Sequence, residues 1–153
     1  MTGASSSLPE SVNPAWRIGI VASQFHESEV SALVESALEA LTEAGVPPEN
    51  ILKHTVAGSF EIPLIGAALA RTKQVDALIG LGIIVRGETQ HAEHLAREVA
   101  RGIMEVQLKH GIPFAYEVLH VDNIAQARDR AEKGREAAHA ALHSLAQLAR
   151  LQS

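Results

Sequence analysis

An α/β fold, a three-layer α/β/α sandwich around a parallel four-stranded sheet, is what this sequence predicts. Three observations predict it: four short apolar runs rich in branched residues, helix-length amphipathic stretches between them, and strict alternation of the two. Strands that alternate with helices imply right-handed crossovers, so the sheet is parallel and covered on both faces. The chain has 153 residues, 46% hydrophobic and 20% charged, which suits one domain with a core of its own.

Residues 1–15 mix Ser, Pro, Gly and Asn without periodicity and read as a flexible arm closed by Asn13-Pro14, so a single domain over 16–153 begins near Trp16. Residues 17–23 form the first strand, a run too uniformly apolar to be half-exposed. From Ser28 the residues Val30, Leu33, Val34, Ala37, Leu38 and Leu41 recur at helical spacing, until Gly45 and Pro47-Pro48 stop the helix. Residues 51–57 read as the second strand and 62–72 as the second helix, with Pro63 in its first turn, where a missing N–H is harmless. Residues 76–85 are the most apolar segment and the expected central strand. Ala92, Ala96, Val99, Ile103 and Val106 mark one face of a helix over 90–110, closed by Gly111. A fourth strand over 113–119 and helices over 124–132 and 135–151, broken near Lys133-Gly134, complete the order. The arrangement is flavodoxin-like, and ligands of such sheets sit beyond the carboxyl ends of the strands.

Composition excludes several classes of function. A net charge of −5 without a run of like charges gives nucleic acid no footprint. The first residues lack a signal peptide's features, and no apolar run reaches the roughly 18–20 residues of a membrane span. With no cysteine, disulfides, iron–sulfur clusters and thiolate zinc sites are ruled out, and a reducing cytoplasm is the natural setting. Gly80-Leu81-Gly82 lacks the third glycine of a dinucleotide fingerprint, and no Walker motif occurs.

The strand ends hold the chemistry. Arg86-Gly87-Glu88-Thr89 joins a buried strand to a helix, where backbone N–H groups and the helix dipole suit an anion; the alternative is that Thr89 merely caps the helix. His91, in the expected first turn, is suited to relaying protons, or is surface filler. Phe25, between Gln24 and His26, offers a stacking face or plain packing under a loop. Glu61 either caps the next helix or accepts N–H groups of a heterocycle. The pairs His91/His94 and His139/His143 have metal-ligand spacing without an obvious third ligand.

Together these segments resemble the lumazine synthase family from about Trp16 onward. Gly58-Ser59-Phe60-Glu61-Ile62-Pro63 is similar to the family's GAFEIP, and Arg86-Gly87-Glu88-Thr89-Gln90-His91 to its RGxTxH; a phenylalanine follows the first strand and an arginine follows Gln126-Ala127. The resemblance implies condensation of 5-amino-6-(D-ribitylamino)uracil with 3,4-dihydroxy-2-butanone 4-phosphate to 6,7-dimethyl-8-ribityllumazine, with no redox cofactor and no metal. It puts Phe25, Ser59, Phe60, Glu61, Ile83, Ile84, Val85 and Tyr116 around the pyrimidine, with Glu88, Thr89 and Arg130 at the phosphate and His91 as the proton-moving group. It further implies a homopentamer with sites shared between subunits. Whether twelve pentamers close into an icosahedral 60-mer stays open. Alanine faces at Ala92, Ala96 and Ala100 and at Ala137, Ala138 and Ala141 are expected to let subunits approach closely.

Three departures from the family pattern stand out: Tyr116 in place of phenylalanine, Gln24-Phe25-His26 in place of Arg-Phe-Asn, and a shortened segment Ala131-Glu132-Lys133-Gly134. The alternatives are an archaeal-type riboflavin synthase, against which Arg130 argues, and a non-catalytic flavin-binding or shell protein, against which His91 argues.

Overall fold

A computed structural model describes residues 7–88 and 90–152. Strands β1 (Ile18–Ser23), β2 (Ile51–Val56), β3 (Ala77–Val85) and β4 (Phe114–Val121) form one sheet in the order β2-β1-β3-β4, every pairing parallel. Helices α1 (Glu27–Glu43), α2 (Ile62–Thr72), α3 (Ala92–His110), α4 (Ile124–Arg128) and α5 (Lys133–Gln152) flank it, giving the expected flavodoxin-like arrangement. No helix among the described residues is long and apolar enough to cross a membrane.

β1 and β3 are the inner strands, and every residue of both is buried. Burial on both faces is why their sequences are continuous apolar runs. Alternation along these strands then sorts the core into two halves. Ile18, Ile20, Ala22, Ile79, Leu81, Ile83 and Val85 pack with α1 and α5, whereas Val21, Leu78 and Ile84 pack with α2 and α3. β2 and β4 are edges, and β2 turns Lys53, His54 and Thr55 to solvent.

Helix limits follow local signals. α1 stops just before Gly45, whose φ of 97° is left-handed, and α2 has the expected limits, with Pro63 in its first turn. α3 starts two residues later than expected, with His91 at its N-cap, and ends before Gly111.

The break between the last two helices differs from the expectation. α4 ends at Arg128 and the turn occupies residues 129–132, so Gly134 lies inside the first turn of α5. It is glycine because α5 crosses α1 there: a Cβ on Gly134 would overlap the carbonyl oxygen of Leu33. Ser36 Oγ fixes the same crossing by donating to the carbonyl of Ala131 at 2.7 Å. Ala137, Ala138 and Ala141, at most 2% exposed, continue this close contact. Their face is therefore spent within the chain and does not serve subunit contact. Ala92 and Ala96 are likewise buried in the chain's own core.

Of the expected N-terminal arm, residues 1–6 lie outside the described residues. Residues 7–15 form no helix or strand, Val12 packs on the core, and the carbonyl of Ser7 meets His143 Nε2 at 2.7 Å.

Candidate active site

The crossover leaving β1 goes to the α1 face and the one leaving β3 goes to the α3 face, so a crevice opens where their carboxyl ends lie side by side. A cavity of about 240 Å³ occupies it, lined by Phe25, Ser59, Phe60, Ile83, Ile84, Val85 and Glu88 with Ala57, Gly58 and Leu95. Residues from three separate expected segments thus share one wall.

Phe25 lies two residues beyond the end of β1 and is 61% exposed. His26 behind it takes a left-handed conformation, φ 60° and ψ 50°, with its ring edge-on to Phe25 at 4.7 Å between centroids. Phe60 is equally open, at 62%. Ser59-Phe60-Glu61 is a single 3₁₀ turn whose own carboxylate closes it: Gly58 N–H donates to Glu61 Oε1 at 2.9 Å. Glu61 thus caps the 3₁₀ turn that it ends and gives α2, expected to be the capped helix, no side-chain cap hydrogen bond; the contact engages one carboxylate oxygen. Ser59 is buried with its hydroxyl unpartnered, seated over Gly82, where any Cβ would overlap the oxygen.

The β3–α3 loop forms the next side. Gly87 turns it at φ 91°, a conformation side chains resist. Arg86 N–H donates to the carbonyl of Val121 at 2.7 Å, and its side chain meets Asp122 at 3.3 Å. Thr89, expected as cap or phosphate ligand, lies outside the described residues. His91 is exposed at the α3 N-cap, one turn ahead of Leu95 in the cavity wall.

Tyr116 and Arg130 are elsewhere. Tyr116 pairs in register with Gly80, five residues before the Val85–Val121 pair at the carboxyl edge. At about 3.3 Å per residue it lies roughly 16 Å down the strand. Burial, and secondarily Glu117, raises its phenol above the ordinary range, so it stays a neutral hydroxyl. Neighbouring Glu117 is pushed up to about 7 by burial and then by Glu136, with Lys133 opposing. Arg130 is exposed in the turn after α4.

Sequence reasoning missed His26. Its Nε2 lies 2.8 Å from Glu88 Oε1, joining the end of β1 to the β3–α3 loop across 62 residues. Histidine following the exposed Phe25 was the one available signal. Of the histidine pairs with metal-ligand spacing, His139 is buried, and the described residues contain no group of three His, Asp or Glu able to hold a metal.

Fold and crevice define a three-layer α/β protein whose ligand site lies at the switch point of its sheet, with an exposed aromatic platform beside a glycine-turned loop. A family model described as 6,7-dimethyl-8-ribityllumazine synthase matches residues 15–149. The 6,7-dimethyl-8-ribityllumazine synthases of Paraburkholderia phytofirmans and Paraburkholderia xenovorans are each 46% identical over 127 residues, 82% of this chain and 76% of theirs. That of Paraburkholderia phymatum is 46% identical over the same length, 74% of its own. The chain belongs to the 6,7-dimethyl-8-ribityllumazine synthase family, and its activity is that of a lumazine synthase in riboflavin biosynthesis.

Proposed function

We propose that the crevice is one half of a site completed by a second copy of the chain. The carrying observation is that the described cavity, about 240 Å³, is walled by two exposed phenylalanines. It falls below the roughly 300–1,000 Å³ of ordinary ligand pockets and must serve two substrates. In this reading Phe25 stacks on the pyrimidine of 5-amino-6-(D-ribitylamino)uracil, and Ser59, Phe60, Glu61, Ile83, Ile84 and Val85 surround it. Glu88 and Thr89 belong to the loop that receives the phosphate of 3,4-dihydroxy-2-butanone 4-phosphate. Tyr116 and Arg130 of a neighbouring copy close the pocket and bind the same phosphate.

The pyrimidine's 5-amino group condenses with the ketone, releasing water and forming an imine. Loss of a proton from the adjacent carbon expels phosphate, leaving an enol that tautomerises to a ketone. The ribityl-bearing amine then attacks that ketone, and a second water leaves as the ring closes. Every step is proton transfer or addition–elimination, so the balance needs no redox cofactor or metal. His91 moves the protons, a role usually giving about 10²–10⁴-fold, with the remainder from holding the substrates together.

The assembly proposed is a pentamer of residues 16–153 as one domain, working in the cytoplasm. Its support is the exposed apolar set Phe60, Leu64, Met104 and Leu108 on the α2–α3 side. Mixing inactive His91→Ala with inactive Arg130→Ala subunits tests the shared site. Reassembled hybrids should regain lumazine absorbance and phosphate release, whereas verified hybrids that stay inactive, or a fully active monomer, would overturn it.

A further inference from the structure

Glu88 puts a carboxylate on the loop proposed to receive a phosphate, and two neighbouring anions repel. His26 offers a resolution. Its Nε2–H donates to Glu88 Oε1 at 2.8 Å, the histidine side chain 15% exposed and the carboxylate 46%. The same ring stands edge-on to Phe25. One side chain thus touches both the stacking platform and the loop, and it does so from a left-handed backbone that a non-glycine residue rarely adopts.

We infer that His26 is a positioning residue for this reaction: it draws the Glu88 carboxylate toward β1 and away from the phosphate-bearing substrate. The inference rests on the phosphate reading of residues 86–91. Beside this contact, the loop is held by the 3.3 Å hydrogen bond from Glu88 N–H to the carbonyl of Val85, and by Arg86, whose N–H donates to Val121 and whose side chain meets Asp122 and Glu93. Gly87 makes the turn between them at φ 91°.

His26→Gly separates the ring from the backbone, because glycine adopts the left-handed conformation without cost. The variant should keep its α1 start and thermal midpoint, raise KM for the ketone phosphate roughly tenfold, and change kcat less than about twofold. In a Glu88→Ala background the same substitution should move KM less than about twofold, since the contact is already gone. An unchanged KM in His26→Gly, or an equal rise with and without Glu88, overturns the inference. Inorganic phosphate as a competitive inhibitor against the ketone keeps the two readings apart. If it does not compete with wild type, the phosphate reading fails; if it competes equally well with wild type and His26→Gly, only the role of His26 fails. His26→Asn, which tolerates the same backbone but falls short of Glu88, repeats the measurement should the glycine variant fold poorly.

Discussion

The two faces of the sheet are finished differently. On one, α1 and α5 meet so closely that Gly134 and Ser36 touch backbone across the crossing, and Ala137, Ala138 and Ala141 leave no surface to spare. On the other, α2 and α3 bury Ile62, Val99 and Ile103 but leave Leu64, Met104 and Leu108 at least half exposed. The helix crossing on the first face is closed within one chain; the second keeps a run of exposed apolar residues that water covers badly. Helix packing inside the chain and the exposed apolar surface proposed for association thus lie on opposite sides of the sheet.

The largest way to break this contrast is Gly134→Ala. Its methyl would enter the Leu33 carbonyl, so α5 must shift along most of its contact with α1. We expect a loss of about 3 kcal/mol, or roughly 6–12 °C in Tm, by calorimetry. A neutral outcome would mean the crossing is looser than described. Next in size, Leu108→Glu on the open face should leave the fold intact while weakening assembly on the order of tenfold or more, measured by sedimentation. Unaltered association would move the interface off α3. The smallest effect sharpens the closed face, where Glu117 lies near Glu136 and Lys133 with its carboxyl raised to about 7. A raised carboxyl contributes stability below its unfolded value of 4.5 and loses it as pH climbs through 7. Glu117→Gln should therefore stabilise the protein by about 1–2 kcal/mol at pH 8, and the advantage should vanish near pH 4. A gain constant across that range would show that charge is not its source.

Much of this was legible beforehand. The buried strands announced themselves because inner parallel strands have no face on which to place polar residues, and Pro63 and Gly111 marked helix ends for local steric reasons. Gly134 misled because glycine inside a helix reads as punctuation, whereas here it answers to a backbone elsewhere in the chain. The alanines of α5 misled similarly: small residues signal close approach but not to whom. The crevice residues were legible as strand ends and family motifs. Their 3₁₀ turn, and the contact of His26 with Glu88, depend on packing between segments distant in sequence, which no periodicity encodes.

The sheet order also sets a schedule for folding. β1 is made first, yet it is an inner strand that pairs with both β2 and β3. The apolar side of α1 is covered largely by α5, the last of these helices to be made. A nascent chain therefore carries its central strand and a sticky helix through most of synthesis before either is covered, and such non-local closure is slow and prone to aggregation. The polar edge presented by Lys53, His54 and Thr55 on β2 is a defence during that interval, since charged edges resist pairing with another chain's strand.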